Sequence, residues 1–147
     1  MIEICEQAYD DVREFIDTVI DSFAESSGHP FGYDEFAFGA LEDGIRIGAI
    51  KGYRLYDWLY VEFLAVTQSS RGTRIGSRLL ERAEELARDM SLEGVVLDTF
   101  RYQAPSYYAA RGYAEQMVIT GKTRDRDRIY LQKKVKDKQL PVDQSDQ

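Results

Sequence analysis

The stretch Val66-Thr67-Gln68-Ser69-Ser70-Arg71-Gly72-Thr73-Arg74-Ile75-Gly76 decides the fold, because it is a basic, glycine-bearing turn between two apolar segments of different period. Before it, Trp58 to Val66 is aromatic and β-branched, the composition of a buried strand. After it, Ile75, Leu79, Leu80, Ala83, Leu86, Ala87 and Met90 recur at three- and four-residue intervals and form one face of a helix. Arg78, Arg82, Glu84, Glu85, Arg88 and Asp89 are left for solvent in this reading. A strand that enters a helix through such a turn makes an anion site. The N–H groups of the first helical turn lack internal partners, and the helix dipole adds partial positive charge there. Arg71 and Arg74 add two formal charges, while Gly72 and Gly76 let the backbone approach a ligand closely. A phosphorylated cofactor is the expected ligand. The turn is neither a Walker loop, since Ser77-Arg78 follows Gly76, nor a G-x-G-x-x-G dinucleotide fingerprint.

A second segment, Leu97 to Tyr113, reads L-D-T-F-R-Y-Q-A-P-S-Y-Y-A-A-R-G-Y. Gly94 to Phe100 is a short strand, Pro105 suits the first turn of a helix, and Gly112 suits its stop. Tyr108 falls inside that short helix, four residues before the glycine.

Together these residues resemble the GNAT superfamily of acetyl-CoA-dependent N-acetyltransferases. Arg71 to Gly76 is similar to its pyrophosphate signature, Q/R-x-x-G-x-G/A. Ala104, Tyr108, Gly112 and Tyr113 are similar to its A-x-x-x-Y-x-x-x-G-F/Y signature. The likeness is nearest to a small bacterial subgroup that reads L-D-T-x-x-x-Q-A-P-x-F-Y-x-x-x-G-Y. One position departs from the pattern, Arg74 standing where the signature has glycine. The resemblance implies a mixed, mostly antiparallel twisted sheet, an α/β (α+β) architecture with flanking helices and a splayed parallel strand pair. The pantetheine arm of acetyl-CoA would enter the splay against the backbone of Leu64, Ala65 and Val66. The pyrophosphate would lie on Arg71, Gly72, Thr73, Arg74, Ile75, Gly76 and Ser77. A homodimer is also expected from the resemblance.

The remaining elements agree with that architecture. Ile2 to Glu6 is expected as a first strand and Tyr9 to Ser26 as a helix with Val12, Phe15, Ile16, Val19, Ile20 and Phe23 along one side. Residues 26–32 form a breaker-rich loop. Glu35–Glu42 and Ile45–Tyr53 form a hairpin about Asp43-Gly44, and Tyr113–Thr120 with Asp127–Lys133 form a closing one. A helix crossing between Trp58–Val66 and Val95–Phe100 requires those strands to be parallel neighbours. Residues 1–134 are expected as one domain and 135–147, polar and aperiodic, as a disordered tail.

Composition narrows the setting. The net charge of −7 argues against nucleic-acid binding and favours a cationic partner or simple solubility. No apolar run approaches a membrane span, and the N-terminus lacks the regions of a secretory signal. Cys5 is the single cysteine, expected as a buried structural thiol in a cytoplasmic protein. No Cys, His or carboxylate cluster has metal-ligand spacing, so no metal is expected.

Acetyl transfer to an amine asks for a base to remove an ammonium proton, an acid for the leaving thiolate, and an N–H for the oxyanion. Tyr108 is the candidate acid by resemblance, with aromatic packing as its alternative role; Tyr107 points about a hundred degrees away and is expected in the core or an interface. Glu62 is the candidate base, because a carboxylate interrupting an apolar strand is either functional or paired with a cation. Asp98 is a weaker alternative. His29 lies in a Gly-Pro loop and reads as exposed; Lys122 to Arg128 reads as a solvated turn. Tyr53, Tyr56, Trp58 and Tyr60 either line an amine pocket or pack under the sheet. Three functions stay open: an N-acetyltransferase of a small cationic amine, an acetyltransferase of a protein, peptide or aminoacyl-tRNA amine, and an inactive acyl-CoA-binding module.

Overall fold

The computed structural model describes residues 1–136. They form two compact units, Met1–Gly32 and a second that starts at Tyr33. In the first, α1 spans Tyr9–Ser26, with Asp10 and Asp11 in the first turn where they complement the dipole. Its apolar stripe is the expected one, yet nothing else within residues 1–32 is regular enough to cover it. Residues 2–6 do not form the expected strand, and Cys5 is exposed rather than buried. Alternation of Ile2 and Ile4 with polar neighbours describes a face only if a neighbouring strand completes the ladder, and that is a tertiary matter.

The second unit is built on six strands, β1 (Tyr33–Glu42), β2 (Ile45–Leu55), β3 (Trp58–Val66), β4 (Gly94–Phe100), β5 (Ala114–Ile119) and β6 (Arg128–Lys134), in the order β1-β2-β3-β4-β6-β5. Only β3 and β4 run parallel; the other neighbours are antiparallel. The crossover between them is α2 (Ile75–Asp89), and the short α3 (Pro105–Ala109) follows β4. Leu79, Leu80, Ala83 and Ala87 of α2 are buried against Ile50, Leu59, Val61, Val95, Leu97, Ile129 and Leu131 from the sheet. Each such Leu or Ile contributes roughly 1.5–3 kcal/mol on leaving water.

Two register features shape the functional end. The parallel ladder pairs Trp58 with Gly94 through Val61 with Leu97 and stops there, although β3 continues to Val66 and β4 to Phe100. Past that point β3 pairs only with β2 and β4 only with β6, so their facing edges diverge. At the same point β3 carries a bulge: Lys51 opposes Phe63 and Gly52 opposes Val61, leaving Glu62 as the extra residue. Gly52 is required there, because a Cβ would lie 1.9 Å from the Tyr60 carbonyl oxygen.

Three expectations are corrected here. Glu84 is not on a solvated face: it is buried, and Lys133 on β6 donates to its carboxylate. A carboxylate beside the core is tolerable because a cation reaches it. In the segment 122–128, Asp127 is buried, accepting from the Gly121 N–H (3.0 Å) and from Arg101 (3.2 Å), which holds its carboxyl below the usual range. Val135, placed in the tail by sequence, donates its N–H to Glu93 at 3.1 Å; the rest of the expected tail, from residue 137, lies outside the described residues.

Candidate active site

The turn after β3 leaves the sheet at the splay, and α2 begins at Ile75. The first intrahelical bond runs from the Arg78 N–H to the Arg74 carbonyl at 3.0 Å, so the N–H groups of Ile75, Gly76 and Ser77 precede the helical ladder. Arg74 itself holds φ 67° with no side-chain cap. This gives the departure at position 74 a physical reading. The backbone there is left-handed, the conformation glycine takes freely and an L side chain adopts at a cost of about 1 kcal/mol. The Arg74 side chain is exposed and makes no hydrogen bond or ion pair with the described residues. Gly72, at φ 80°, has open space where a Cβ would stand.

A cavity of about 460 Å³ joins this turn to the splayed edge and to α3. Of the residues expected from sequence, Leu64, Val66, Arg71, Gly72, Arg74, Ile75, Gly76 and Tyr108 line it. Ala65 and Thr73 do not: Ala65 falls on the alternate, exposed side of β3, and the Thr73 hydroxyl donates to the Ser70 carbonyl. Ser77 is buried and lines a second cavity of about 370 Å³, which shares Arg74 and Arg111 with the first. Glu62 lines neither; its side chain is one-third exposed, with the Lys51 ammonium 3.9 Å away.

Tyr108 packs against the core, edge-on to Tyr107 (5.3 Å between centroids) and Tyr113 (6.0 Å). Burial raises its proton affinity, with Tyr107 and Asp98 adding to the rise and Arg111 opposing it, so the hydroxyl stays protonated well into the alkaline range. Asp98 is already engaged, accepting from the Tyr60 hydroxyl and from Arg128 Nε at 2.8 Å. Tyr53 lies between Tyr33 (4.9 Å) and Tyr60 (5.3 Å), forming a tyrosine row on strands β1 to β3. Among the described residues no group of three or more metal-ligating side chains converges, and no helix is long and apolar enough to cross a membrane.

Residues 4–113 match the family model described as Acetyltransferase (GNAT) family. The chain belongs to that family. It is 38% identical over 82 residues to a blasticidin-S acetyltransferase of Streptomyces morookaense, the match covering 55% of this chain and 59% of that one. The chain thus spans about six-tenths of this curated relative's length. Among solved structures, an acetyltransferase of Bacillus cereus is 23% identical with a TM-score of 0.78, over 90% of this chain and 98% of the other. The PaiA N-acetyltransferase of Thermoplasma acidophilum, solved with coenzyme A, is 18% identical with a TM-score of 0.59, over 87% and 80%. At these identities the two structures establish the GNAT fold, as does the strand order above.

Sequence reasoning missed four residues that line the cavity of this GNAT protein, Ser70, Gln103, Tyr107 and Arg111, and the last two bear on the site's geometry. Tyr107, expected in the core or an interface, turns its hydroxyl toward α2, where a Cβ on Gly76 would come within 2.6 Å of it. Arg111 stacks on the Tyr107 ring at 3.4 Å from its centroid. The available signal was the four-residue spacing of Tyr107 and Arg111, which puts an aromatic and a cation on one helical face.

Proposed function

We propose that this protein transfers an acetyl group from acetyl-CoA to a primary amine on a small cationic molecule, by direct attack in a ternary complex. The observation that carries the reading is the single cavity in which the splayed edge of β3, the basic turn and Tyr108 meet. Its residues fit the group: an open left-handed turn with N–H groups ahead of the helical ladder suits a pyrophosphate, and the apolar Leu64 and Val66 suit a slender arm. The Thermoplasma relative is known with coenzyme A, and the Streptomyces relative is named for blasticidin S.

When bound, acetyl-CoA supplies the acetyl group as a thioester and departs as a free thiol. Arg71 and the backbone of residues 72–77 hold its phosphates, and the edge of residues 64–66 that β4 leaves uncovered, where the Val66 carbonyl accepts from Arg71 Nε at 3.4 Å, meets the amides of its arm. Tyr108 gives its hydroxyl proton to the leaving sulfur and regains one from solvent. The hydroxyl is protonated at neutral pH like any tyrosine, and burial extends that state further into the alkaline range. Glu62 takes the proton of the attacking ammonium directly or through water; it stands at the bulge where the parallel ladder ends, still open to solvent. The net charge of −7 steers cationic acceptors. The same reading includes a homodimer, to be tested by light scattering against the 16.9 kDa chain mass.

The test is release of free thiol from acetyl-CoA across a panel of amines. Tyr108→Phe should keep the fold and lower turnover by about a hundredfold or more. Parent turnover in that variant would remove Tyr108 from the acid role, and no thiol release with any amine would remove the activity.

A further inference from the structure

The helix that carries Tyr108 is five residues long, Pro105–Ala109, and it starts from Ala104 at φ 66° without a side-chain cap. Isolated helices shorter than about 12–15 residues are marginal in water, so α3 depends on what grips it. Its last carbonyls also need donors from outside the helix. Backbone N–H groups of residues 110–113 serve Ser106, Tyr108 and Ala109, and one side chain serves Tyr107 while gripping the helix. Arg111 donates through Nη1 to the Tyr107 carbonyl at 2.7 Å and through Nε to Ser77 Oγ at 2.7 Å. Its guanidinium plane lies 3.4 Å from the Tyr107 ring centroid. Ser77 is buried and is the third residue of α2, within the turn assigned above to phosphate. The guanidinium is planar, so fixing two of its N–H vectors and one face fixes the distance and angle between α3 and α2.

We infer that Arg111 is a positioning residue for acetyl transfer, a clamp that docks the helix bearing Tyr108 onto the first turn of α2 and thereby sets the Tyr108 hydroxyl against the cofactor turn. The inference rests on the acid role proposed for Tyr108. Arg111 also acts through charge. The groups that face Tyr108 are Tyr107 on its own helix, Asp98 on β4, the ring of Tyr113 and Arg111, and Arg111 alone of these favours loss of the Tyr108 proton. The two contributions are separable, because Ser77→Ala cuts one arm of the clamp and leaves the cation in place. A rival role also follows from the geometry: Arg111 lines both cavities and could contact phosphate directly.

The experiment compares Arg111→Gln, Arg111→Lys, Ser77→Ala and Tyr108→Phe with the parent. It reads kcat and KM for acetyl-CoA across pH, acetyl-CoA affinity by calorimetry, and the melting temperature of each variant. With a clamp, Arg111→Gln lowers kcat by about 10- to 100-fold, the cost of misplacing a reacting group by about 1 Å, while the acetyl-CoA Kd stays within about threefold. Its alkaline limb moves upward. Ser77→Ala lowers kcat less and leaves the limb where it was. Arg111→Lys recovers part of the loss, because the ammonium keeps the charge but not the planar fork. A weakened acetyl-CoA Kd with parent kcat in Arg111→Gln makes the residue a phosphate ligand and overturns the clamp. Parent kcat in Ser77→Ala and Arg111→Gln overturns it too. If Arg111→Gln does not fold, Ser77→Ala decides: parent kcat in the folded variant sinks the inference. Failure of the underlying reading looks different, since Tyr108→Phe would then turn over like the parent. A slow Tyr108→Phe beside a parent-like Arg111→Gln removes the clamp alone.

Discussion

Gly76→Ala adds a single methyl group where α2, α3 and the cavity meet, and the structure gives its consequence in parts. The new Cβ would stand 2.6 Å from the Tyr107 hydroxyl and 3.6 Å from Val66 Cγ2, so the hydroxyl must retreat to the roughly 3.4 Å of ordinary contact. Tyr107 has little freedom to do so. Its ring lies under the Arg111 guanidinium, 3.4 Å from the centroid, and edge-on to Tyr108. The displacement therefore passes into α3 and the Tyr108 hydroxyl. Overpacking of this kind costs about 1–3 kcal/mol, against which alanine in a helix offsets about 0.5–1 kcal/mol relative to glycine. Stability should fall by about 2.5 kcal/mol at most. Activity should fall further, because a misplacement of about 1 Å at a reacting group costs about a hundredfold in rate. The double variant Gly76→Ala/Tyr107→Phe removes the colliding oxygen and leaves the ring carbon at an ordinary 3.5 Å. It should recover most of the lost kcat, while any rise in the acetyl-CoA KM due to the methyl group itself persists. Steady-state kinetics on the four corners of this cycle, beside urea denaturation, provide the assay. If the double variant is no faster than Gly76→Ala, the collision with Tyr107 is not the cause and the reasoning fails.

Arg71→Glu should weaken acetyl-CoA binding by roughly 1.5–3 kcal/mol, the range for a hydrogen bond to a charged group, and calorimetry showing parent affinity would contradict the phosphate placement. Gly52→Ala should destabilise the fold by about 2–5 kcal/mol in urea denaturation, since its Cβ meets the Tyr60 carbonyl at 1.9 Å and must part β2 from β3; a loss below about 1 kcal/mol would refute that. Burial raises the proton affinities of Tyr53, Tyr60, Tyr108 and Tyr113 above the ordinary tyrosine value of 10.0. Their folded pKa values exceed the unfolded ones, so the stability they confer is whole below about pH 10 and is lost as pH rises through the folded values. Tyrosinate absorbance should therefore appear together with unfolding; ionisation of these groups within a folded protein would count against it.

The sequence by itself determined the elements whose physics is local. The bounds of β3, Trp58–Val66, and of α1, Tyr9–Ser26, follow from period and composition, and they stand as expected. Parallel pairing of β3 with β4 also followed, because a helical crossover permits nothing else. The basic turn was legible for a related reason, since backbone conformation and charge are written in adjacent residues, whereas Tyr108 stands out only through the resemblance to the GNAT signature; the structure puts both at one cavity. Whether residues 2–6 pair as a strand was not legible, because pairing depends on a partner that the segment does not contain.

Other features were decided only by tertiary structure. By sequence Glu62 is either functional or paired with a cation, and only the fold shows that a bulge makes it the extra residue of β3, partly open, with the Lys51 ammonium 3.9 Å away. Glu84 looked exposed because it follows the helical stripe, but Lys133, 49 positions away, reaches it inside. Tyr107 was assigned to packing because a helix wheel says nothing of what lies opposite; Gly76 and Ser77 of another element lie opposite it. The physical reason is common to all three. Period and composition fix which way a side chain leaves its own backbone, whereas its burial, its partners and its chemistry depend on groups brought near by the crossover, and the energy of those contacts falls off within a few ångströms in space whatever the distance along the chain.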